Sequence, residues 1–171
     1  MKTLILEAIG GDADAFTRLM QSQLQNMYKT ARAILRNDED AADAISDTIL
    51  TCWEKLRQLK NPDFFRTWMT CILINKCKDI IRKQNGISLV GELPEQAVFD
   101  TTYENVEWKA ALEVLDEKYR LVMVLYYVEE FDTVQIGKML DMPESTVRSR
   151  LARGREKLAK SLEGGGSYER A

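Results

Sequence analysis

The sequence contains no histidine, which removes the commonest general base and metal ligand, and with it Ser-His and Cys-His nucleophile systems and histidine-bearing zinc sites. Proline and glycine are scarce, with 3 and 9 copies, and glycines cluster at Gly10–Gly11 and Gly164–Gly166. Most of the chain therefore lacks the turn punctuation that sheets need, and an all-helical fold is expected. The three cysteines, Cys52, Cys71 and Cys77, are odd in number and have no CxxC spacing. That suits a reducing compartment and places the chain in the cytoplasm. No segment approaches the ~18–20 apolar residues of a membrane span. Met1-Lys2-Thr3 leads into an amphipathic pattern, so neither export nor membrane insertion is expected.

What remains is an ordinary globular composition: 171 residues, 45% hydrophobic and 30% charged, enough for one domain or two small ones. The net charge is −3, but its arrangement is uneven. Residues 37–47 hold five acids (Asp38, Glu39, Asp40, Asp43, Asp47) and no base, whereas residues 145–160 hold six bases (Arg148, Arg150, Arg153, Arg155, Lys157, Lys160) against Glu156 alone. A shorter basic stretch, Lys76, Lys78, Arg82 and Lys83 around Asp79, closes the first half. Such runs point to different partners at different places along the chain.

Apolar residues recur at three and four from Leu4 through Leu35, with a break at Gly10-Gly11-Asp12, which predicts a short helix and then a long one. Asn37-Asp38 is a stop and an N-cap. Ala41, Ala44, Ile45, Thr48, Ile49, Cys52, Trp53 and Leu56 then mark a third helix, with Trp53 and, on the next helix, Trp68 expected in the core. After Pro62, residues Phe64 to Ile81 carry a fourth. The four share one core over residues 1–85. Periodicity fails between Gly86 and Tyr103, so residues 86–104 read as a linker with apolar residues able to dock. It returns from Trp108, giving a second helical domain over 105–163, with 164–171 a flexible tail.

Within that second domain, Asp132 and Gln135 form a capping-box variant that opens a short helix with Ile136, Met139 and Leu140 inward. Asp141-Met142-Pro143 is a tight break, and Val147, Leu151, Leu158 and Leu162 stripe the next helix. This is helix-turn-helix spacing. Arg148, Ser149, Ala152 and Arg153 lie off the stripe, where arginine can bond a guanine edge bidentately while Lys157 and Lys160 suit phosphates.

These residues resemble the extracytoplasmic-function (ECF) group of bacterial RNA polymerase sigma factors. The likeness runs from Asp40-Ala-Ala-Asp-Ala-Ile-Ser-Asp through Trp53, Phe65-Arg-Thr-Trp68 and Asn75 to Arg82-Lys83, then from Thr133 to Leu158. The resemblance implies two small helical domains on a linker and no enzymatic activity, metal or cofactor. It implies that the acidic third helix, through Asp40, Asp43, Asp47 and Trp53, binds the clamp helices of the largest polymerase subunit. Lys60, Asn61, Phe64, Asn75, Lys76, Lys78, Arg82 and Lys83 would open and read the −10 element, with Asn75 at the extruded base. Ser145, Thr146, Arg148, Ser149, Arg150, Ala152, Arg153, Arg155 and Lys157 would read the −35 element. An anti-sigma protein is implied as a further partner. Thr70, Cys71 and Ala152 depart from residues that relatives often carry, and Gly137 stands for a common Ala at a modest cost in helix propensity.

Two alternatives come from other classes. A stand-alone helix-turn-helix regulator would bind duplex operator DNA unaided, as a symmetric dimer. A magnesium nuclease would use Asp38, Glu39, Asp40 and Asp43, although acids at a helix start equally serve the macrodipole.

Overall fold

The computed structural model describes residues 1–86, 110 and 112–165. These fall into two compact units, the first ending within residues 1–97 and the second beginning at or after residue 98. Most of the expected linker, together with Trp108, Ala111 and residues 166–171, lies outside the described residues.

The first unit comprises α1 (Lys2–Ile9), α2 (Ala13–Ile34), α3 (Asp38–Lys55) and α4 (Phe65–Gly86), with 3-10 turns at Leu56–Gln58 and Pro62–Phe64 between the last two. The expected breaks have their physical causes in place. Asp12 caps α2 by accepting a hydrogen bond from the Ala15 N–H, and Asn37 caps α3 by accepting from the Asp40 N–H. Gly11 takes φ of +100°, a conformation only glycine adopts freely. Helices α2, α3 and α4 pack on one another and α1 covers α2. Leu19, Met27, Leu56, Phe65, Met69, Leu73 and Ile74 are enclosed among them. Trp53 departs from the expectation of a core residue: it is 43% exposed, its ring set against Phe16 at 4.9 Å between centroids. The seam is filled by small residues, Ala41, Ala44, Thr48 and Cys52, and an indole has no room there.

The second unit holds α5 (Glu117–Tyr127), α6 (Thr133–Leu140) and α7 (Glu144–Gly165). Leu115, Tyr119, Val122, Leu125, Phe131, Ile136, Val147 and Leu151 form its core. The capping box is present in both directions: Asp132 Oδ1 accepts from the Gln135 N–H, and Gln135 Oε1 accepts from the Asp132 N–H. Asp141 closes α6 in the left-handed region at φ 52°, and the Pro143 carbonyl accepts the first bonds of α7. Gly137 is more than a helix-propensity cost. A Cβ there would stand 2.8 Å from the Met142 carbonyl oxygen, so glycine is what lets the turn close onto α6.

The C-terminal end differs from expectation. Leu162 is 77% exposed rather than part of the stripe, and Gly164 and Gly165 are helical rather than tail. Once a helix is nucleated, each further residue adds a hydrogen bond, and a glycine costs only ~1 kcal/mol without a proline to stop propagation. The core ends earlier, so among the described residues the last turns have nothing to pack against. Among the described residues no helix is long and apolar enough to cross a membrane.

The three thiols are free. Burial pushes Cys52 and Cys77 up to about 12. Cys71 is only half-buried and is raised by burial against the opposing pull of the Lys78 ammonium. A thiol reagent at mildly alkaline pH is therefore expected to label Cys71 first in the native protein and all three cysteines in denaturant, as counted by mass spectrometry. Replacing Gly137 by Ala is expected to lower stability by about 1 kcal/mol, since overpacking against a backbone carbonyl outweighs the gain in helix propensity. Urea unfolding of the full chain measures this.

Candidate nucleic-acid interface

Helix α4 buries Phe65, Met69, Thr70, Leu73, Ile74 and Cys77 and turns a different line of residues outward. Trp68, Asn75 and Arg82 follow at seven-residue intervals, which places them along one stripe of the helix. Asn75 and Arg82 are exposed and Trp68 is half-buried, its ring tilted against Phe65 at 6.1 Å. The indole is thus not enclosed in the core. Lys78 and Lys83 are exposed beside this line and Lys76 is half-buried. Arg82 is held by Asp79 at 3.4 Å. Thr70 faces the core and offers no surface contact. At the start of α4, Lys60, Asn61 and Phe64 lie on the surface, Phe64 being 58% exposed. Asn61 accepts from the Asp63 N–H at 3.0 Å, and Asp63 pairs with Lys2 at 3.2 Å, which ties this corner to α1.

The acids of α3 divide into two sets. Asp38 accepts from the Tyr28 hydroxyl and pairs with Arg32. Asp40 Oδ2 accepts from Asn37 Nδ2 at 2.8 Å and from Gln84 Nε2 at 2.7 Å, linking the start of α3 to the end of α4. Asp43 and Asp47 are exposed and have no hydrogen-bond or ion-pair partner among the described residues. They share an outward face with Leu50, 61% exposed, and Trp53. Among the described residues no cluster of three or more acids or cysteines is arranged to hold a metal. Protein donors already occupy Asp38 and Asp40, two of the carboxylates that a magnesium site would use.

On α7, Val147, Leu151, Gly154 and Leu158 face inward, and Ser145, Ser149, Ala152 and Glu156 follow one another along the opposite, exposed line. Small side chains at the centre of that line allow close approach to a surface. The long bases flank it. Arg148 is 2.6 Å from Glu144 Oε1, and Arg155 donates to the Tyr127 hydroxyl at 2.9 Å. Lys157 pairs with Asp116 at 3.3 Å, and Lys160 with Glu156 at 3.0 Å. Among the described residues neither Arg150 nor Arg153 forms a close ion pair, although the Arg153 charge contributes to lowering the Glu156 pKa after the larger effect of Lys160.

Three contributors escaped the sequence reading. Lys118 and Tyr119, at the start of α5, join Ser145, Thr146, Ser149, Arg150 and Arg153 around a shallow basic concavity. The Arg153 guanidinium beside the Tyr119 hydroxyl lowers its pKa, with Lys118 adding to the effect. Lys118 and Lys157 stand 5.0 and 4.9 Å from the centroid of the same ring. Gly154 is the third: a Cβ there would meet Met123 Cγ at 3.0 Å, so α7 lies close on α5. The four- and three-residue steps from Leu151 to Leu158 could have revealed Gly154. Nothing in the local sequence joins Lys118 to Arg153.

Both units are similar to known proteins. Residues 19–87 match the model for sigma-70 region 2, and residues 106–158 match that for sigma-70 region 4. The ECF RNA polymerase sigma factor SigW of Bacillus subtilis is 29% identical, over 95% of this chain and 96% of that protein. The fold is similar to that of CnrH, solved in complex with the cytosolic domain of CnrY, with a TM-score of 0.66 and 23% identity over 95% of this chain and 97% of that one. It is similar also to the sigma factor RpoE of Bartonella quintana, solved with the anti-sigma factor NepR, at 0.65 and 19% over 85% and 97%. With both sigma-70 regions in one chain, in order, and a relative aligned over nearly its full length, the chain belongs to the ECF group of RNA polymerase sigma factors.

Proposed function

We propose that the two units divide promoter recognition between them: the first docks on core RNA polymerase and opens the −10 element, and the second reads the −35 element as duplex. The observation that carries this is the pairing, within one small unit, of an acidic face on α3 that has no partner among the described residues with a basic, asparagine-bearing face on α4. A stand-alone repressor or activator has no use for that pair.

In this reading Asp43, Asp47, Leu50 and Trp53 meet the polymerase. Carboxylates without internal partners steer the encounter, and the exposed apolar residues supply the area that holds it. Asp40 acts differently from its acidic neighbours, holding α3 to α4 through Gln84. Opening a duplex needs an extruded base held by hydrogen bonds and stacking beside a positive track. Asn75 supplies the amide, Lys76, Lys78, Arg82 and Lys83 the track, Lys60, Asn61 and Phe64 the adjoining loop, and Trp68 an accessible ring on the same line.

On the second unit, Ser145, Ser149 and Ala152 approach the base edges. Arg148 and Arg153 reach them from either side, and Thr146, Arg150, Arg155, Lys157 and Lys118 take the phosphates. A net charge of −3 works against tight binding to free DNA, so specificity emerges in the holoenzyme. The chain carries out no chemistry itself and works in the cytoplasm beside the polymerase. The complex of RpoE with NepR supports an anti-sigma partner here as well.

Run-off transcription with sigma-free core polymerase on a genomic fragment library tests the whole reading: discrete start sites are expected only when the chain is added. Exchanging Asp43 and Asp47 together for Lys is expected to weaken core binding at least ~10-fold at physiological salt, measured by anisotropy. Arg153→Ala is expected to leave core binding intact and weaken promoter binding by ~5- to 150-fold, the loss of ~1–3 kcal/mol for one good contact. Gln84→Ala is expected to preserve core affinity but slow promoter opening, followed by permanganate reactivity of unpaired thymines. Equal loss of both functions would remove Asp40 and Gln84 from the opening step.

A further inference from the structure

Glu144 opens α7, where an acid ordinarily serves the helix dipole. Its side chain is engaged elsewhere. Oε1 accepts from the Thr133 hydroxyl on α6 at 2.6 Å and from Arg148 Nη2 one turn along α7, also at 2.6 Å. Thr133 thereby holds the carboxylate in one position, and the carboxylate holds the guanidinium. The Glu144 side chain is 36% exposed and that of Arg148 67%, so the pair lies at the surface beside the base-reading line with its arginine still accessible.

The charge and the donors of Arg148 are affected differently. A guanidinium carries five N–H donors, and one nitrogen facing Glu144 leaves the rest of the fork available for the paired acceptors of a guanine edge. The positive charge, in contrast, is largely offset by a carboxylate in hydrogen-bonding contact. Non-specific affinity for DNA depends on charge, through counterions released at each neutralised phosphate, whereas base reading depends on directed donors. Hydrogen bonds from Thr133 and then Arg148 hold the Glu144 carboxyl below its usual range, so the acid stays ionised at neutral pH.

We propose that Glu144 is a specificity-determining residue: held by Thr133, it masks the charge of Arg148 toward phosphates while leaving its donors for a base edge. The proposal rests on the reading of α7 as the helix that enters the duplex. It gives Glu144 a positioning role with no DNA contact of its own, and it gives Thr133, on the other helix of the motif, a part in sequence selection.

The test uses the full chain and a labelled random-sequence duplex, titrated by anisotropy from ~50 to ~200 mM salt. Glu144→Gln is expected to steepen the log–log salt dependence by ~0.9, the signature of one added phosphate contact, which is a further ~3.5-fold fall in affinity over that range. Thr133→Val is expected to shift the slope in the same direction by less. Adding Glu144→Gln to Arg148→Ala is expected to leave the slope of the single Arg148→Ala variant unchanged. A steeper slope that persists without Arg148 would overturn the proposal, because Glu144 would then act only as a bulk negative charge. An unchanged slope in Glu144→Gln would overturn it equally. Holoenzyme on promoters with single base-pair changes supplies the second readout: Glu144→Gln is expected to narrow the preference at the base pair where Arg148→Ala abolishes it. If Arg148→Ala alters preference nowhere, the reading of α7 fails, and that outcome is distinct from failure of the masking role.

Discussion

Close helix contact at small side chains is the constraint on which both units rest. In the first unit the fully enclosed positions include Ala15, Ala31, Ala33, Ala41, Ala44, Cys52 and Cys77, and in the second the approach of α6 to the turn and of α7 to α5 occurs at Gly137 and Gly154. Short side chains let helix axes come together, and interiors packed to crystal-like density admit nothing larger there. Longer side chains are displaced to the remaining faces. Trp53 is a clear case, since the indole sits at the rim because its own helix meets its neighbours through alanine, threonine and cysteine.

What those remaining faces carry depends on which polar groups are already satisfied. A carboxylate bound by internal donors has little left to offer a partner, so an acid-rich stretch is not a uniform surface. Asp38 and Asp40 brace α3 against α2 and α4, while Asp43 and Asp47, one and two turns further on, have no partner among the described residues. The same sorting divides the bases of α7, where Arg148, Lys157 and Lys160 each have an acid within reach. Charge counted along a sequence therefore overstates the charge a partner meets.

The helix boundaries were largely legible because their causes are local. Asp12, Asn37 and the Asp132–Gln135 box act over two or three residues, and a spacing of three and four identifies a buried stripe without knowledge of its partner. The end of α7 was misread because glycine lowers helix stability without forbidding a helix, and only a proline or a lost packing partner would have stopped it. The candidate sites were legible as residue types on helix faces. Which members of a face work together was not.

By itself the sequence determined the helical class, the helix-turn-helix, the separation of acidic from basic segments and the likeness to sigma factors, since each is written in short-range spacing or in an ordered set of motifs. Only the tertiary structure decided that Trp53 and Trp68 stay accessible, that Asp40 reaches Gln84, that Lys118 and Tyr119 join Arg153, and that Glu144 answers to Thr133. These pairings span from 11 to 44 residues where their hydrogen bonds are direct. Their partners lie on different helices, and helix crossings set by small-residue packing bring them together.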